Sequence, residues 1–180
     1  MTIQIIKSSL KNVFEIRPII QKDIRGNFVK FFRSSTFIEH GLSANFTEDF
    51  YSTSKAGVIR GLHFQLPPLN GAKLVFCVAG NVMDVALDLR KDSPTFGCHQ
   101  VFDLSEDLCS GVYIPIGVAH GFYVKSKFAT ILYKVGAEYS LEHDSGILWS
   151  SAGIEWPTED PIISTRDRGL VRLENFSSPF

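Results

Sequence analysis

The chain has 180 residues, which suits one domain whose core is large enough to fold without disulfides or metals. Its formal net charge of −1 gives no reason to expect a nucleic-acid partner or an anionic membrane surface. The first residues do not read as a signal peptide, and no apolar run approaches the roughly 20 residues that cross a bilayer. Cys77, Cys98 and Cys109 lack metal-ligand spacing, so we expect reduced thiols and a cytoplasmic location.

The composition predicts a single all-β domain over residues 1–180. The 15 phenylalanines and many short β-branched segments are separated by Gly, Pro and Asn. The first strand is expected at residues 28–33, and because exposed apolar edges are usually covered, we expect it to pair with a second copy of the chain. A short helix should follow, with Ser34 or Ser35 as its N-cap and Gly41 at its end.

The clearest strand pair is predicted over residues 73–90, with a tight turn at Gly80-Asn81. Alternating side chains make one face of this hairpin apolar, while the other face carries Lys73, Asp84 and Asp88. Such a pair suits a barrel wall that packs on a second layer and lines a cavity with its polar face. Further strands are expected at residues 58–65, 111–114, 121–124 and 129–135.

Three segments concentrate polar side chains among apolar ones. In the first, Arg60 and His63 are three residues apart, so a regular strand would point them to opposite faces. We expect Gly61 to mark a β-bulge that re-aims them. The second segment holds His120 beside glycines, and the third, near the C-terminus, holds an arginine followed by Asp167. By themselves these residues also fit ordinary roles, a satisfied wall histidine or a turn-forming acid.

A metal centre is the main alternative for such a barrel. It would need three or more His or carboxylate ligands, typically with two histidines close together on one strand. His63 has no histidine two residues away, and His40, His99 and His143 fall in predicted surface turns. The sequence therefore predicts a site without a metal.

Six segments resemble, in order and spacing, signatures of the dTDP-4-dehydrorhamnose 3,5-epimerase family over about residues 18–167. They are Arg-Gly-Leu-His-Phe-Gln at 60–65, Lys-Leu-Val at 73–75, Asp-Val-Ala-Leu-Asp-Leu-Arg at 84–90, Ser-Pro-Thr-Phe-Gly at 93–97, Ala-His-Gly-Phe at 119–122 and Trp-Pro at 156–157. The resemblance implies a cupin-type double-stranded β-helix (jelly-roll) barrel with short peripheral helices. It also implies a cofactor-free, homodimeric isomerase that inverts C3 and/or C5 of a nucleotide-linked 4-keto-6-deoxy sugar, as in polysaccharide biosynthesis.

The resemblance implies a division of labour in the catalytic site. His63 is the general base, Asp167 orients it, and Tyr133 reprotonates carbon from the opposite side. A proton beside a ketone is far less acidic than imidazolium, so the enolate must meet a preorganised positive or hydrogen-bonding group. Lys73 and His120 match groups around the keto oxygen, with Asp84 supporting His120.

The resemblance also implies a nucleotide site. Arg60 matches a diphosphate contact, with Arg25 and Arg166 as further candidates, while Phe28 and Tyr139 match aromatics that stack on the base.

The chain departs from the family pattern on the nucleotide side. Lys30 stands where the family usually has glutamate, and Glu48 and Phe50 stand where it usually has Gln-x-Asn. One interpretation is an exchanged surface pair of Lys30 and Glu48. The other is a different base, because a carboxylate offers only acceptors and suits the adjacent N–H donors of guanine. A GDP-linked 4-keto sugar, including a heptose, would then be the substrate.

Two alternatives to a 3,5-epimerase stay open at the level of sequence. A single-site epimerase or keto-isomerase of the same family would carry the same motifs. A catalytically silent sugar-nucleotide-binding barrel would need no base and acid, so the presence of His63, Tyr133 and Asp167 argues against it.

Overall fold

The computed structural model describes residues 3–180, which form thirteen strands, two α-helices and two 3-10 helices. The strands are β1 (Gln4–Lys7), β2 (Phe14–Arg17), β3 (Ile20–Asp23), β4 (Gly26–Val29), β5 (Glu48–Lys55), β6 (Ile59–Gln65), β7 (Lys73–Ala79), β8 (Asn81–Asp88), β9 (His99–Ser105), β10 (Gly111–Ile114), β11 (Val118–Val124), β12 (Phe128–Val135) and β13 (Asp144–Gly146). The α-helices are α1 (Ser34–Glu39) and α2 (Thr165–Arg168), and the 3-10 helices are Trp149–Ser151 and Leu173–Asn175.

The strands form two antiparallel sheets and one separate hairpin. The six-stranded sheet has the order β1-β2-β10-β7-β12-β5, the five-stranded sheet has the order β13-β6-β11-β8-β9, and β3 pairs only with β4. One core cluster joins Val75 and Val112 of the first sheet with Val82, Ala86 and Phe122 of the second. The apolar interior therefore lies between the sheets, as in the double-stranded barrel that the sequence predicted.

The predicted hairpin over residues 73–90 is wrong in its pairing, although its apolar side chains alternate between two faces as predicted. β7 pairs with β10 and β12, whereas β8 pairs with β9 and β11, so the chain crosses from one sheet to the other at Gly80. A Cβ on Gly80 would lie 2.1 Å from the Phe128 carbonyl oxygen, which only glycine avoids. A tight turn in a sequence does not reveal whether its strands pair or pack face to face. Leu74 nevertheless packs outside the barrel and Val75 inside, as the alternation predicted.

The predicted strand over residues 28–33 ends early, at Val29. Phe31 and Phe32 instead pack on Phe76 and Phe37, with ring centroids 4.9 Å and 5.0 Å apart. This packing anchors the segment that leads into α1 and leaves no extended edge there.

The short helix lies where the sequence predicted it but is capped differently. Arg33 is the N-cap residue and makes no side-chain cap bond, so the prediction of Ser34 or Ser35 is wrong. The fully buried Phe37 holds α1 against the barrel, and packing takes the place of a cap. The helix ends before Gly41, as predicted.

Asp88 serves the fold rather than the cavity. Its side chain is buried at the end of β8 and accepts hydrogen bonds from Arg90, Ser93 and Thr95. Burial alone would raise the pKa of Asp88, but these hydrogen bonds outweigh it and lower the pKa to about 2. The Ser-Pro-Thr segment therefore closes one loop of the barrel, and the predicted place of Asp88 on a cavity wall is wrong.

Candidate active site

A cavity of about 330 Å³ opens between the two sheets. It is lined by eight of the residues that the sequence singled out: Glu48, Arg60, His63, Lys73, His120, Tyr133, Tyr139 and Arg166. Asp84 and Asp167 are buried behind this lining, where they contact His120 and His63.

A β-bulge aims Arg60 and His63 into the same cavity. His63 lies opposite His120, but Arg60 lies opposite Phe122, so β6 has one residue more than β11 over this stretch. The extra length falls at Gly61, where a Cβ would lie 2.5 Å from the Gly121 Cα atom. The predicted bulge at Gly61 is confirmed.

His63 and Asp167 form a hydrogen-bonded dyad. His63 Nε2 lies 2.8 Å from Asp167 Oδ1, and Asp167 Oδ2 accepts the backbone N–H of Gly61 at 3.2 Å. Ser164, the N-cap of α2, accepts the backbone N–H of Asp167 and fixes the start of this helix. Because a carboxylate only accepts, Nε2 carries the hydrogen, and Nδ1 keeps a lone pair for a proton. The Asp167 side chain thus sets the tautomer of His63.

Burial keeps the imidazole of His63 neutral. It lowers the pKa of His63 below 6.5 more strongly than the Asp167 carboxylate raises it, and Arg166 and Lys73 lower it further. At neutral pH His63 is therefore in the form that can accept a proton.

His120 and Asp84 form a second dyad beside the first. Their Nε2 and Oδ2 atoms are 2.7 Å apart, and both side chains are buried. His120 and His63 are register partners on neighbouring strands, so the two imidazoles belong to the same wall.

Lys73 brings a cation to the opposite wall. Its Nζ donates to the His63 carbonyl oxygen at 3.0 Å, which leaves two N–H donors free. Burial lowers the pKa of Lys73 to about 8, which Asp144 opposes and Arg166 reinforces. Among residues 3–180 no carboxylate lies within ion-pair distance of this ammonium group.

Tyr133 lies on β12, also in the six-stranded sheet. It is 8% exposed, and burial raises the pKa of its phenol well above the usual value. The Ser52 hydroxyl lies nearby and opposes this shift, although it makes no complete hydrogen bond within the described chain. The phenol therefore stays protonated over the whole neutral range.

Three of the residues predicted to contact the nucleotide, Arg25, Phe28 and Lys30, do not line the cavity of their own chain. Arg25 is exposed on the β3–β4 hairpin and pairs with Asp23 at 2.6 Å. Phe28, on β4, is 55% exposed, and neither it nor Lys30 lines the cavity. Within one chain, Phe28 and Tyr139 therefore do not face each other. No ion pair in the described part of the chain joins Lys30 to Glu48.

Glu48 and Gln65 hold the segment that carries Tyr139. Glu48 Oε2 accepts the Tyr139 backbone N–H at 2.7 Å. Gln65 Oε1 accepts the Ser140 N–H at 2.7 Å, and Gln65 Nε2 donates to the Glu138 carbonyl at 3.1 Å. These bonds fix an exposed tyrosine at the mouth of the cavity. Gln65 belongs to a recognised motif, but its role at the rim had not been predicted.

Asp144 was missed by the sequence analysis altogether. It lines the cavity, pairs with Arg166 Nη2 at 2.7 Å and accepts from the Tyr139 hydroxyl at 3.3 Å. Asp144 opens the three-residue strand β13, which is too short to produce a periodic pattern.

Two negative findings apply to the part of the chain that the structure describes. Within residues 3–180 no group of three or more His, Cys, Asp or Glu side chains is arranged to hold a metal ion. The helices found there are too short or too polar to cross a membrane.

Comparisons with known proteins agree with this geometry. The model of the family described as dTDP-4-dehydrorhamnose 3,5-epimerase matches residues 7–175. The chain belongs to this family. It is an isomerase with a cupin-type fold.

Individual relatives span almost the whole chain. The dTDP-4-dehydrorhamnose 3,5-epimerase of Shigella flexneri is 43% identical over 166 residues, which are 91% of this chain and 92% of the relative. The dTDP-4-dehydrorhamnose 3-epimerase of Streptomyces niveus is 36% identical over 167 residues, 91% of this chain and 81% of the relative. A crystal structure of dTDP-6-deoxy-D-glucose-3,5-epimerase from Legionella pneumophila, in complex with dTDP-4-keto-L-rhamnose, has a TM-score of 0.93 and 36% identity, and the match covers 98% of this chain and 95% of that one.

The dyad makes a testable prediction about the pKa of His63. In an NMR titration His63 should titrate below 6.5, and Asp167→Asn should lower the value further because it removes the charge that favours imidazolium. Asp103→Asn, which changes an exposed acid on β9, should leave the His63 curve unchanged. A rise of the His63 pKa in the Asp167→Asn variant would contradict the dyad.

Proposed function

We propose that this protein inverts C3 and/or C5 of a dTDP-linked 4-keto-6-deoxy sugar, as a dTDP-4-dehydrorhamnose 3,5-epimerase does. The carrying observation is that a neutral, carboxylate-oriented imidazole and a buried phenol line one cavity from opposite sheets, His63 on β6 and Tyr133 on β12. Inversion at a carbon needs a base on one face of the sugar ring and an acid on the other.

The reaction begins when His63 Nδ1 takes the proton from the carbon beside the ketone. The C–H electron pair moves into the new carbon–carbon double bond, and the carbonyl pair moves onto oxygen. Asp167 stabilises the imidazolium that forms. Lys73 and His120 are the donors available to the enolate oxygen, and the two free N–H groups of Lys73 fit this task.

Tyr133 then gives its proton to the carbon from the opposite face. The enolate collapses to the ketone. Exchange with solvent then removes the proton from the His63 imidazolium and returns one to the Tyr133 phenolate before the next turnover. Because burial raises the pKa of Tyr133, the phenol reaches this step protonated. Asp84 holds the His120 ring in place through their 2.7 Å bond and acts as a positioning residue.

Arg60 is proposed as the diphosphate contact. Its Nε donates to Ser54 Oγ at 2.8 Å, which fixes the guanidinium plane and leaves the outer nitrogens free for phosphate oxygens. Arg166 is a second candidate, although Asp144 and Asp167 already share its charge.

A homodimer is proposed in which the β3–β4 hairpin serves the cavity of the partner chain. Three residues of the nucleotide-site pattern, Arg25, Phe28 and Lys30, lie on or beside this exposed hairpin and away from their own cavity. β5 ends the six-stranded sheet as an edge strand, and its Glu48 lies at the cavity mouth. An unpaired strand edge of this kind is usually covered.

The unpaired cysteines are consistent with a cytoplasmic location.

Mixing two inactive variants tests the shared site. His63→Ala removes the base, and the double variant Arg25→Ala/Phe28→Ala removes the hairpin contacts. If the hairpin serves the partner, a mixed dimer has one intact site, and an equal mixture should recover about a quarter of wild-type activity. If each hairpin served its own cavity, no activity would return. The wild-type mass in solution should be twice the 20.1 kDa of the chain.

The proposed chemistry predicts different failures for the base and the acid. In heavy water, His63→Ala should lose both deuterium uptake and inversion of the keto sugar, because no proton is removed. Tyr133→Phe should still take up deuterium, since His63 can return a proton to the original face, but inversion should fall by about a hundredfold or more. Mass spectrometry and NMR of the recovered sugar measure both quantities.

The same experiment separates the alternatives. Label at C3 alone would indicate a 3-epimerase, like the relative from Streptomyces niveus. Absence of label in the wild type with tight binding of the sugar nucleotide would indicate a silent binding protein. Unchanged exchange in His63→Ala would refute the assignment of the base.

Glu48 bears on the choice of nucleotide. The adjacent N–H donors of guanine would be met best by both oxygens of Glu48, but Oε2 already accepts the Tyr139 N–H at 2.7 Å, so Oε1 is the oxygen without a partner. One acceptor suits the single N–H of thymine, whereas the adjacent donors of guanine would need two. Calorimetry should therefore find dTDP bound about tenfold more tightly than GDP, the equivalent of one hydrogen bond of about 1.4 kcal/mol. Tighter binding of GDP would restore the interpretation of a guanine site.

A further inference from the structure

Phe50 and Tyr133 form a stacked pair inside the cavity. Their Cα atoms are partners in the β5–β12 register, and their ring centroids lie 4.6 Å apart with an interplanar angle of 17°. Phe50 is 43% exposed and Tyr133 only 8%, so Phe50 is the outer ring of the pair. A substrate that enters the cavity meets Phe50 on the same wall as the phenol.

A second ring confines Tyr133 from another side. The His120 imidazole lies edge-on to it, with centroids 6.0 Å apart and an interplanar angle of 75°. The hydrogen bond to Asp84 fixes His120 in turn. The Tyr133 ring is therefore held between the face of Phe50 and the edge of His120. A tyrosine side chain has only two rotatable bonds, so this confinement fixes its hydroxyl group.

We propose that Phe50 is a positioning residue that holds the Tyr133 phenol at one face of the bound sugar and keeps water away from it. This inference rests on the proposed function. In that function Phe50 would set the efficiency of the second proton transfer, from the Tyr133 phenol to carbon. The chemistry makes position decisive at this step. Two groups compete to protonate the enolate: His63 returns a proton to the original face, and Tyr133 donates one to the opposite face. A displaced phenol donates more slowly, so return by His63 prevails. Phe50 thus sets the ratio of inversion to exchange.

Shielding by Phe50 also bears on the ionisation of Tyr133. Burial is the main cause of the raised pKa of this phenol, and Phe50 supplies its cover on the solvent side. The charged or titratable groups that line the cavity or influence this phenol are Glu48 on β5, Arg60 and His63 on β6, Lys73 on β7, Asp84 on β8, His120 on β11, Tyr139 before β13, Asp144 on β13 and Arg166 on α2. None of these is changed by a substitution at Phe50, so a shift in the pKa of Tyr133 would report on shielding.

The test compares Phe50→Ala, Phe50→Leu and Phe50→Tyr with the control Phe128→Ala, a phenylalanine of similar exposure on β12 that does not line the cavity. In heavy water, Phe50→Ala should lower inversion per exchange event by about tenfold or more, with dTDP affinity within about threefold. Phe50→Leu restores volume but no ring and should be intermediate. Phe50→Tyr should recover the wild-type ratio within about threefold, and Phe128→Ala should match the wild type.

A second measurement needs no substrate. Ultraviolet titration at alkaline pH, taken as the difference with and without Tyr133→Phe, isolates this phenol in each background. Tyr133 should ionise at lower pH in Phe50→Ala than in the wild type. An unchanged ratio, or a loss confined to dTDP affinity, would overturn the positioning role. If the wild type exchanges no 4-keto sugar nucleotide, the proposed function fails, and the titration alone decides whether Phe50 shields Tyr133.

Discussion

The close approach of β6 and β11 at Gly61 and Gly121 is the constraint on which the site depends. A side chain at either position would collide with the neighbouring strand, so the two backbones can meet there only as glycines. The bulge that results turns Arg60 and His63 to the same side and leaves the Gly61 N–H outside the ladder. One carboxylate oxygen of Asp167 accepts that Gly61 N–H, and the other accepts the Nε2–H of His63. The same carboxylate thus satisfies a backbone donor that the bulge leaves unpaired and orients the base.

Burial in the barrel shifts the ionisation of three of the groups that would do the chemistry. Burial lowers the pKa of His63 and Lys73 and raises that of Tyr133, so all three shift toward their neutral forms. An enolate that forms there lies beside the buried side chains of His120 and Tyr133, where the effective dielectric constant is lower than in bulk water. Its interaction with the nearest donors is therefore stronger than the same contact would be in solution.

Alternation over residues 73–90 predicted which side chains of β7 and β8 share a face, because the period of two is a local property of a strand. The cupin-type barrel and the places of His63, His120 and Tyr133 in its site were predicted from the resemblance to the epimerase family. Contacts made across strands could not be read in this way. The register between β5 and β12 joins positions about eighty residues apart, and neither strand alone reveals which ring stacks on which. Asp144 was not predicted because the three-residue strand β13 is too short to show a period and because its ion-pair partner Arg166 lies on a later element, α2.

The crossing at Gly80 has a consequence for how the molecule folds. Consecutive strands β7 and β8 enter different sheets. Each pairs with a strand from much later in the chain, β7 with β12 and β8 with β11. Neither sheet can be completed from one continuous piece of polypeptide. Contacts of such high sequence separation slow folding, because a large loop must close before any of them forms. During synthesis, the cavity therefore cannot form until the strands of both sheets have been made. The site is complete only after the two sheets have assembled.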